Sequence, residues 1–242
     1  MPVDLLLAAL IVFGAMVVRG FAGFGGALLM VPLLGLVWDI RLALVLVGLI
    51  QLVTGTMLVV MSRKSVDRPT LLPVLIWSVV GLAAGSLLLA RLPVDWIARI
   101  LGVATIVIGA ITLARKVVVA QDPGRSKGLL TSGVGLTGGV MHGLIGTSGP
   151  IIVPYLQRVL PSPAGMRSTL LAYFLVLDLL RIGGYLQLGL VSMEALERSL
   201  LLIPLAVLGS IIGSRIQVNV SDEVFRIAVS SLLIVSGVLL LT

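Results

Sequence analysis

The chain has no cysteine and carries very little charge for its 242 residues. Charged residues make up 11% of the sequence, aromatic residues 5%, and there is a single histidine. A soluble domain carries roughly 25% charged residues, so this chain lacks the polar groups to cover a water-facing surface of its size. This shortage excludes a soluble globular enzyme and a disordered protein. The absence of cysteine excludes disulfides, thiolate chemistry and cysteine metal sites.

What the chain has in excess is hydrophobicity. Apolar residues make up 59% of the sequence, and the mean hydropathy is +1.22. This composition predicts an all-α polytopic membrane protein. The net charge of +7 would suggest nucleic acid in a soluble chain. Here the basic residues lie in short gaps between apolar runs, so they indicate topology, and we expect the lipid bilayer and no nucleic acid as a partner.

Apolar runs of two kinds follow one another along the chain. Two segments, Asp4–Val37 and Gly128–Leu156, are too long for one straight span of ~20 residues and too short for two. A glycine cluster interrupts each of them, and glycine disfavours helix. We therefore predict that both are broken helices or re-entrant hairpins. The full-length candidate spans are Leu42–Met61, Leu71–Ala90, Ala98–Leu113, Ser168–Leu188, Leu200–Arg215 and Val224–Leu241.

The basic residues between the spans discriminate between two topologies. If each broken segment crosses the membrane, eight basic residues lie on one side and five on the other. If each enters and leaves on the same side, the division becomes ten against three, which obeys the positive-inside rule better. We therefore predict a multi-pass membrane protein with both termini outside the cytoplasm. The ten are Arg63, Lys64, Arg68, Arg115, Lys116, Arg125, Lys127, Arg158, Arg167 and Arg215.

The two halves of the sequence resemble each other. Residues 19–26, RGFAGFGG, align with residues 142–149, HGLIGTSG, and a proline follows each. The alignment predicts two inverted four-element repeats, each a broken helix followed by three transmembrane helices. The repeats are residues 1–114 and 128–242, joined by a cytoplasmic linker at 115–127. Inverted repeats with broken helices at matching positions are typical of secondary transporters, and no P-loop sequence for ATP is present.

A broken helix exposes backbone N–H groups and the positive end of a helix dipole, and glycines let an anion approach them. The two breaks therefore predict a site for a small anion near the middle of the membrane. The alternative is that the glycines only allow close helix packing, which we expect of Gly81, Gly85, Gly209 and Gly213 inside regular helices. The candidate substrate-binding residues are Arg19, Gly23, Phe24, Gly25, Gly26, His142, Gly146, Thr147, Ser148, Gly149 and Arg181.

Asp178 is the one carboxylate deep inside a predicted full-length span. Arg181 lies one turn away, so the two can pair at i,i+3. The pair is either structural, or Asp178 carries a proton, or Arg181 binds the anion while Asp178 balances its charge. His142 and Asp178 are the candidates for proton coupling. We expect no cofactor and no metal, because the sequence has no H-E-x-x-H and no intramembrane acidic pair.

The duplicated motif resembles a known family. Gly20-x-x-Gly23-x-Gly25-Gly26, leading to Val31-Pro32, returns as Gly143-x-x-Gly146-x-Ser148-Gly149, leading to Val153-Pro154. This pattern, with Arg41 and Arg167 at the next helix starts, is similar to that of the sulfite exporter TauE/SafE family of bacterial membrane permeases. The resemblance covers nearly the whole chain and implies a permease for sulfite, organosulfonates or small carboxylates. It also implies the bacterial inner membrane, so that both termini would lie in the periplasm. Ser148 and Pro150 depart from the usual second glycine run.

Other functions are open from the sequence. Gly146-Thr147-Ser148-Gly149 resembles the serine motif of intramembrane rhomboid proteases, but the only histidine, His142, lies six residues earlier. On a continuous helix that is ~600°, out of register with the serine, so we expect no enzyme. An anion channel lined by the two breaks is an alternative to a carrier. A component that needs a partner for energy, and a homodimer, also remain open.

Overall fold

The computed structural model describes residues 3–62, 66–114, 128–160, 162–215 and 222–241. In these ranges the chain forms ten α-helices and no strand. The predicted linker at 115–127 lies outside the described residues. The helices are α1 Val3–Ala22, α2 Gly26–Gly35, α3 Ile40–Ser62, α4 Arg68–Arg91, α5 Val94–Ala114, α6 Leu129–Ile145, α7 Gly149–Val159, α8 Pro163–Gln187, α9 Met193–Arg215 and α10 Asp222–Leu239.

The all-helical fold is confirmed, and the six predicted spans coincide with α3, α4, α5, α8, α9 and α10. The largest difference is at α9, which begins at Met193 rather than Leu200. The Ser192 hydroxyl accepts a hydrogen bond from the Ala195 N–H at 3.1 Å and caps the helix there. The charged first turns of α9 therefore belong to the helix, although hydropathy alone assigned them to a loop.

The two interrupted segments differ from the prediction in their proportions. In the first, α1 has 20 residues and α2 has 10. At 1.5 Å per residue α1 is about 30 Å long, which is enough to span the hydrocarbon core, whereas α2 is about half that length. Val3–Phe21 is accordingly one of six helical segments, among the described residues, long and apolar enough to cross a membrane. The first interrupted segment is thus a long helix followed by a short one, because α1 continues to Ala22 before the glycines stop it.

The outer surface of the bundle is apolar, as a bilayer requires. Large side chains such as Leu10, Ile76, Leu200 and Val235 are more than half exposed on the helices. A contiguous apolar surface of this kind is unstable in water and matches hydrocarbon. The chain is therefore a multi-span membrane protein.

Helices of the first half of the chain pack mainly against helices of the second half. The helix α1 packs along α9, and α6 packs along α4, while α3 pairs with α8 and α5 with α10. Backbone approaches between these helices are close, because glycines face carbonyl oxygens across them. A Cβ at Gly81 or Gly85 would clash with the Leu136 or Val140 carbonyl of α6. Gly209 and Gly213 face α1 in the same way, so the packing role predicted for these four glycines is confirmed.

The glycines of α6 allow a direct test of this packing. A Cβ at Gly139 would overlap the Ser78 carbonyl oxygen of α4, whereas a Cβ at Gly133 on the same helix would meet no atom within 4 Å. We expect Gly139→Ala to lower the free energy of unfolding by about 1–3 kcal/mol because the helices must separate. Gly133→Ala should leave it unchanged or raise it slightly. Thermal unfolding of both purified variants in detergent measures the difference, and equal stability would contradict the packing.

Candidate functional site

The two helix breaks lie where the sequence placed them, and each depends on left-handed backbone. Gly23 and Gly25 have φ of 80° and 95° between α1 and α2, and Gly146 has φ of 77° after α6. Such angles are strongly unfavourable for residues with a Cβ. Ser148, which aligns with Gly25, has φ of −126°. The second break therefore needs one left-handed residue fewer, which explains how a serine replaces glycine there.

The breaks lie side by side. A Cβ at Gly149, the first residue of α7, would be 3.2 Å from Cδ2 and 3.9 Å from Cβ of Phe24. The N-terminal ends of α2 and α7 thus approach each other in the interior. Backbone N–H groups at the start of α2 have no intrahelical acceptor, since the helical ladder begins with the Leu29 N–H bond to the Gly25 carbonyl at 3.1 Å.

Arg19 crosses from the end of α1 into the interior between the two halves. Its side chain is 2% exposed and passes Gly26, whose Cβ position is 3.0 Å from Arg19 Cδ. Its Nη2 atom lies 3.8 Å from Asp178 Oδ2. The same atom would be 3.1 Å from a Cβ at Gly55 of α3. Glycine on α3 therefore makes the space for this guanidinium.

Arg181 approaches the same carboxylate from its own helix. Its Nη2 is 3.3 Å from Asp178 Oδ1, so the predicted i,i+3 pair is confirmed. A Cβ at Gly48 would be 2.8 Å from Arg181 Nη2, and a Cβ at Gly146 would overlap Nη1. The guanidinium thus occupies a space left by two glycines, one on α3 and one at the second break. It also lies 5.7 Å from the centre of the Tyr185 ring.

His142 joins Asp178 to the second break. Its Nε2 is 3.1 Å from Asp178 Oδ1, and its Nδ1 is 3.4 Å from the Ser148 hydroxyl. The ring stacks on Phe174 at 5.9 Å between centroids. The prediction from helical periodicity that His142 and Ser148 do not face each other was wrong. It assumed a continuous helix, whereas α6 ends at Ile145 and the left-handed Gly146 turns the chain back towards the histidine.

Charge is unbalanced in this cluster of Arg19, His142, Ser148, Asp178 and Arg181. Two guanidinium groups face one carboxylate, so with a neutral histidine the net charge is +1. All five side chains are at most 2% exposed. Buried charges at membrane depth are costly and are normally paired and hydrogen-bonded. The imbalance therefore needs a functional explanation.

The cluster also has more hydrogen-bond donors than acceptors. Within the described part of the chain, Nη1 of Arg19 and all three guanidinium nitrogens of Arg181 are buried without a hydrogen-bond acceptor. Arg181 Nη2 is close enough to Asp178 for electrostatic attraction, but it is not directed for a hydrogen bond. Buried polar groups almost always find partners, and a donor without one is destabilising. The spare capacity is mostly N–H donors, which is what oxygen atoms of an anion require.

The other predicted residues lie around the cluster. Thr147 is buried, and its hydroxyl accepts a hydrogen bond from the Gly149 N–H at 3.4 Å. Pro150 follows and has no N–H, so the start of α7 has fewer free donors than the start of α2. Gly23 is placed differently, since its Cβ position is 3.2 Å from Cγ of Arg167, whose guanidinium donates to the Gly20 carbonyl. Gly23 therefore supports the first break rather than the charged cluster.

Sequence reasoning missed the face of α3 that receives the two arginines. Gly48 and Gly55 are seven residues apart, and the buried Gln51 lies between them. This spacing puts all three on one side of a helix, and that pattern was readable from the sequence.

The cluster is enclosed. A surface cavity of about 500 Å³ lies at the start of α3 and of α9, where Arg198 covers the Trp38 ring at 4.3 Å. None of the five cluster residues lines this cavity. Tyr185, fully buried and bonded through its hydroxyl to the Gly143 carbonyl at 2.9 Å, lies next to Arg181 on α8 towards that end. Within the ranges that the structure describes, no group of three acidic, histidine or cysteine residues could hold a metal ion.

A multi-span helical bundle in which two broken elements meet at a buried, unbalanced ion cluster has the features of a membrane transporter.

The family model for sulfite exporter TauE/SafE matches residues 7–240, and the chain belongs to this family. It is similar to the probable inner membrane transporter protein TsaS of Comamonas testosteroni, with 29% identity over 163 residues. That match covers 65% of this chain and 66% of the relative, a little under two thirds. No solved structure matches. The matching family is one of exporters and the relative's name is that of a transporter, although Ser148, His142 and Asp178 lie in a row in this chain.

The ion cluster predicts a large effect of removing its one carboxylate. Asp178→Leu leaves two buried guanidinium groups without a counter-charge, which we expect to cost about 3–5 kcal/mol of unfolding free energy. The matched control is Glu194→Gln, which breaks the more exposed Arg198–Glu194 pair and should cost less than about 1 kcal/mol. Thermal unfolding in detergent compares the two. An Asp178→Leu protein as stable as the control would contradict the charge assignment.

Proposed function

We propose that this protein is a secondary transporter that moves a small oxyanion across the bacterial inner membrane. The anion binds between the guanidinium groups of Arg19 and Arg181, beside the two helix breaks. The observation that carries this proposal is the surplus of buried cationic donors over acceptors at one enclosed place. An anion with two or more oxygens would supply the missing acceptors and would neutralise the cluster.

The family name points to sulfite, and organosulfonates and small carboxylates have the same chemistry: a compact, charged group of two or three oxygens. The N–H groups at the start of α2 and the Thr147 and Ser148 hydroxyls would hold oxygens that the arginines do not reach. Thr147 and Ser148 are 6% exposed or less. Binding at this place therefore requires the bundle to open.

We propose alternating access because the site is enclosed and because the helices of each half pack against those of the other. We propose that the halves are the inverted repeats predicted from the sequence, with the positive loops in the cytoplasm and both termini in the periplasm. The reciprocal packing of α1 on α9 and α6 on α4 supports a two-fold relation. Rocking of one repeat against the other would expose the site to each side in turn.

Anion binding can be tested on purified protein by thermal shift with sulfite, sulfate, methanesulfonate, taurine and small carboxylates. A ligand at 100 times its Kd should stabilise the wild type by about 2.7 kcal/mol. Arg19→Gln and Arg181→Gln should abolish the shift while remaining folded, since each leaves one cation for one carboxylate. Arg198→Gln, at the exposed end of α9, is the arginine control and should retain the shift. Equal responses in all three variants would contradict the site.

The two breaks can be cross-linked, because the chain has no cysteine of its own. The Cβ positions of residues 24 and 149 are 3.9 Å apart, close to the ~3.8 Å of a disulfide. We expect the double variant Phe24→Cys, Gly149→Cys to lose anion uptake into proteoliposomes on oxidation and to recover it on reduction. The reduced double variant and the single Phe24→Cys variant are the controls.

The same proteoliposomes separate a carrier from the channel alternative. A carrier gives saturable uptake that the cross-link stops, since the breaks must move apart. Ohmic single-channel currents, or uptake that is unchanged by the cross-link, would contradict alternating access.

A further inference from the structure

We propose that anion transport is coupled to protons: each anion binds together with one proton, and His142 takes up that proton next to Asp178. This inference rests on the proposed function and concerns the same buried cluster. It follows from the contacts of Asp178 and from the two hydrogen bonds of the histidine.

Asp178 is the carboxylate that pairs with Arg19, His142 and Arg181. Its Oδ1 accepts from His142 Nε2 at 3.1 Å and faces Arg181 at 3.3 Å. Its Oδ2 faces Arg19 at 3.8 Å and has no hydrogen bond within the described residues. An arriving oxyanion offers both arginines better acceptors, so it competes with Asp178 for them. The carboxylate then loses most of its positive partners, and only His142 remains in hydrogen-bond contact.

A proton on His142 gives Asp178 a cationic partner again. The imidazolium would pair with Asp178 at the existing distance, while the two guanidinium groups pair with the bound anion. A bound monoanion alone would bring the net charge of the cluster from +1 to zero, but it would leave Asp178 without a cation. With the proton the net charge is +1 again, and each of the two buried anions, Asp178 and the bound substrate, has a cationic partner, as buried charges require.

The Ser148 hydroxyl lets the histidine change its protonation state in place. A hydroxyl both donates and accepts. With neutral His142, Ser148 donates to Nδ1 at 3.4 Å while Nε2–H donates to Asp178. With protonated His142, Nδ1–H donates to the same hydroxyl after rotation about its C–O bond. No heavy atom has to move.

The groups that face His142 and Asp178 come from four elements. Arg19 projects from α1, Arg181 and the buried Tyr173 and Tyr185 lie on α8, and Ser148 stands at the start of α7. The helix α3 presents Gly48 and Gly55 to the cluster, and the buried Gln51 lies between them in the sequence. His142 is therefore the group here whose ordinary titration range lies near neutral pH.

Binding linkage gives the test. If the anion favours the protonated histidine, protons favour anion binding by the same factor. The probe is methanesulfonate, which does not titrate near neutral pH. On binding it, the wild type in weak buffer should take up about one proton per anion, and affinity should rise up to about tenfold for each unit that the pH falls. His142→Gln keeps polar contacts to Asp178 and Ser148, and should bind with no proton uptake and with affinity independent of pH.

Ser148→Ala is a second variant in case His142→Gln does not fold. It removes the acceptor for the second N–H of the imidazolium, so the pH dependence should weaken. Glu194→Gln is the control and should behave as the wild type. Binding by the wild type without proton uptake would overturn this inference and leave the proposed site standing. Failure of the wild type to bind any of the anions would overturn the proposed function and the coupling with it.

Discussion

The structure depends on the contact between one buried carboxylate and two buried guanidinium groups. Asp178 lies within 4 Å of both Arg19 and Arg181, which come from the first and the second half of the chain. In a bilayer interior no water is available to solvate either arginine. The two halves are therefore joined at their centre by an interaction that is strong but one negative charge short. That shortage supports the proposed transport site over a purely structural ion pair.

Glycine makes this arrangement sterically accessible. Arginine has a long side chain, and a close-packed interior has few spaces that admit two guanidinium groups. Gly48 and Gly146 leave space for one of them, and Gly26 and Gly55 for the other. The same residue type serves two further purposes, since it turns the chain at the breaks and brings α4 against α6. The high glycine content is thus distributed among three separate tasks.

The sequence predicted the helical class, the positions of the breaks and the i,i+3 pair, because hydropathy, glycine clusters and spacing are local properties. It also singled out Arg19, His142, Ser148, Asp178 and Arg181, although for separate reasons. Their assembly into one cluster was not predictable, since it depends on how α1, α6 and α8 pack. The contact between His142 and Ser148 was rejected because periodicity describes a helix only until the helix ends. A φ of 77° at Gly146 decides the outcome, and a sequence shows such an angle only as the presence of a glycine.

For the proposed coupling of anion and proton, the differences between the two halves matter more than their similarity. Arg19 aligns with His142 and Gly25 with Ser148, so matching positions hold a permanent cation against a titratable one and a bare backbone against a hydroxyl. Two identical halves would bring two arginines or two histidines to the breaks. Two histidines would leave little permanent attraction for an anion, and two arginines could not release a proton near neutral pH. In the proposed mechanism, one of each, with a carboxylate on α8 between them, combines a fixed charge that attracts an anion with a variable charge that responds to it. In this mechanism the divergence of the two aligned breaks is therefore what gives the cluster both properties.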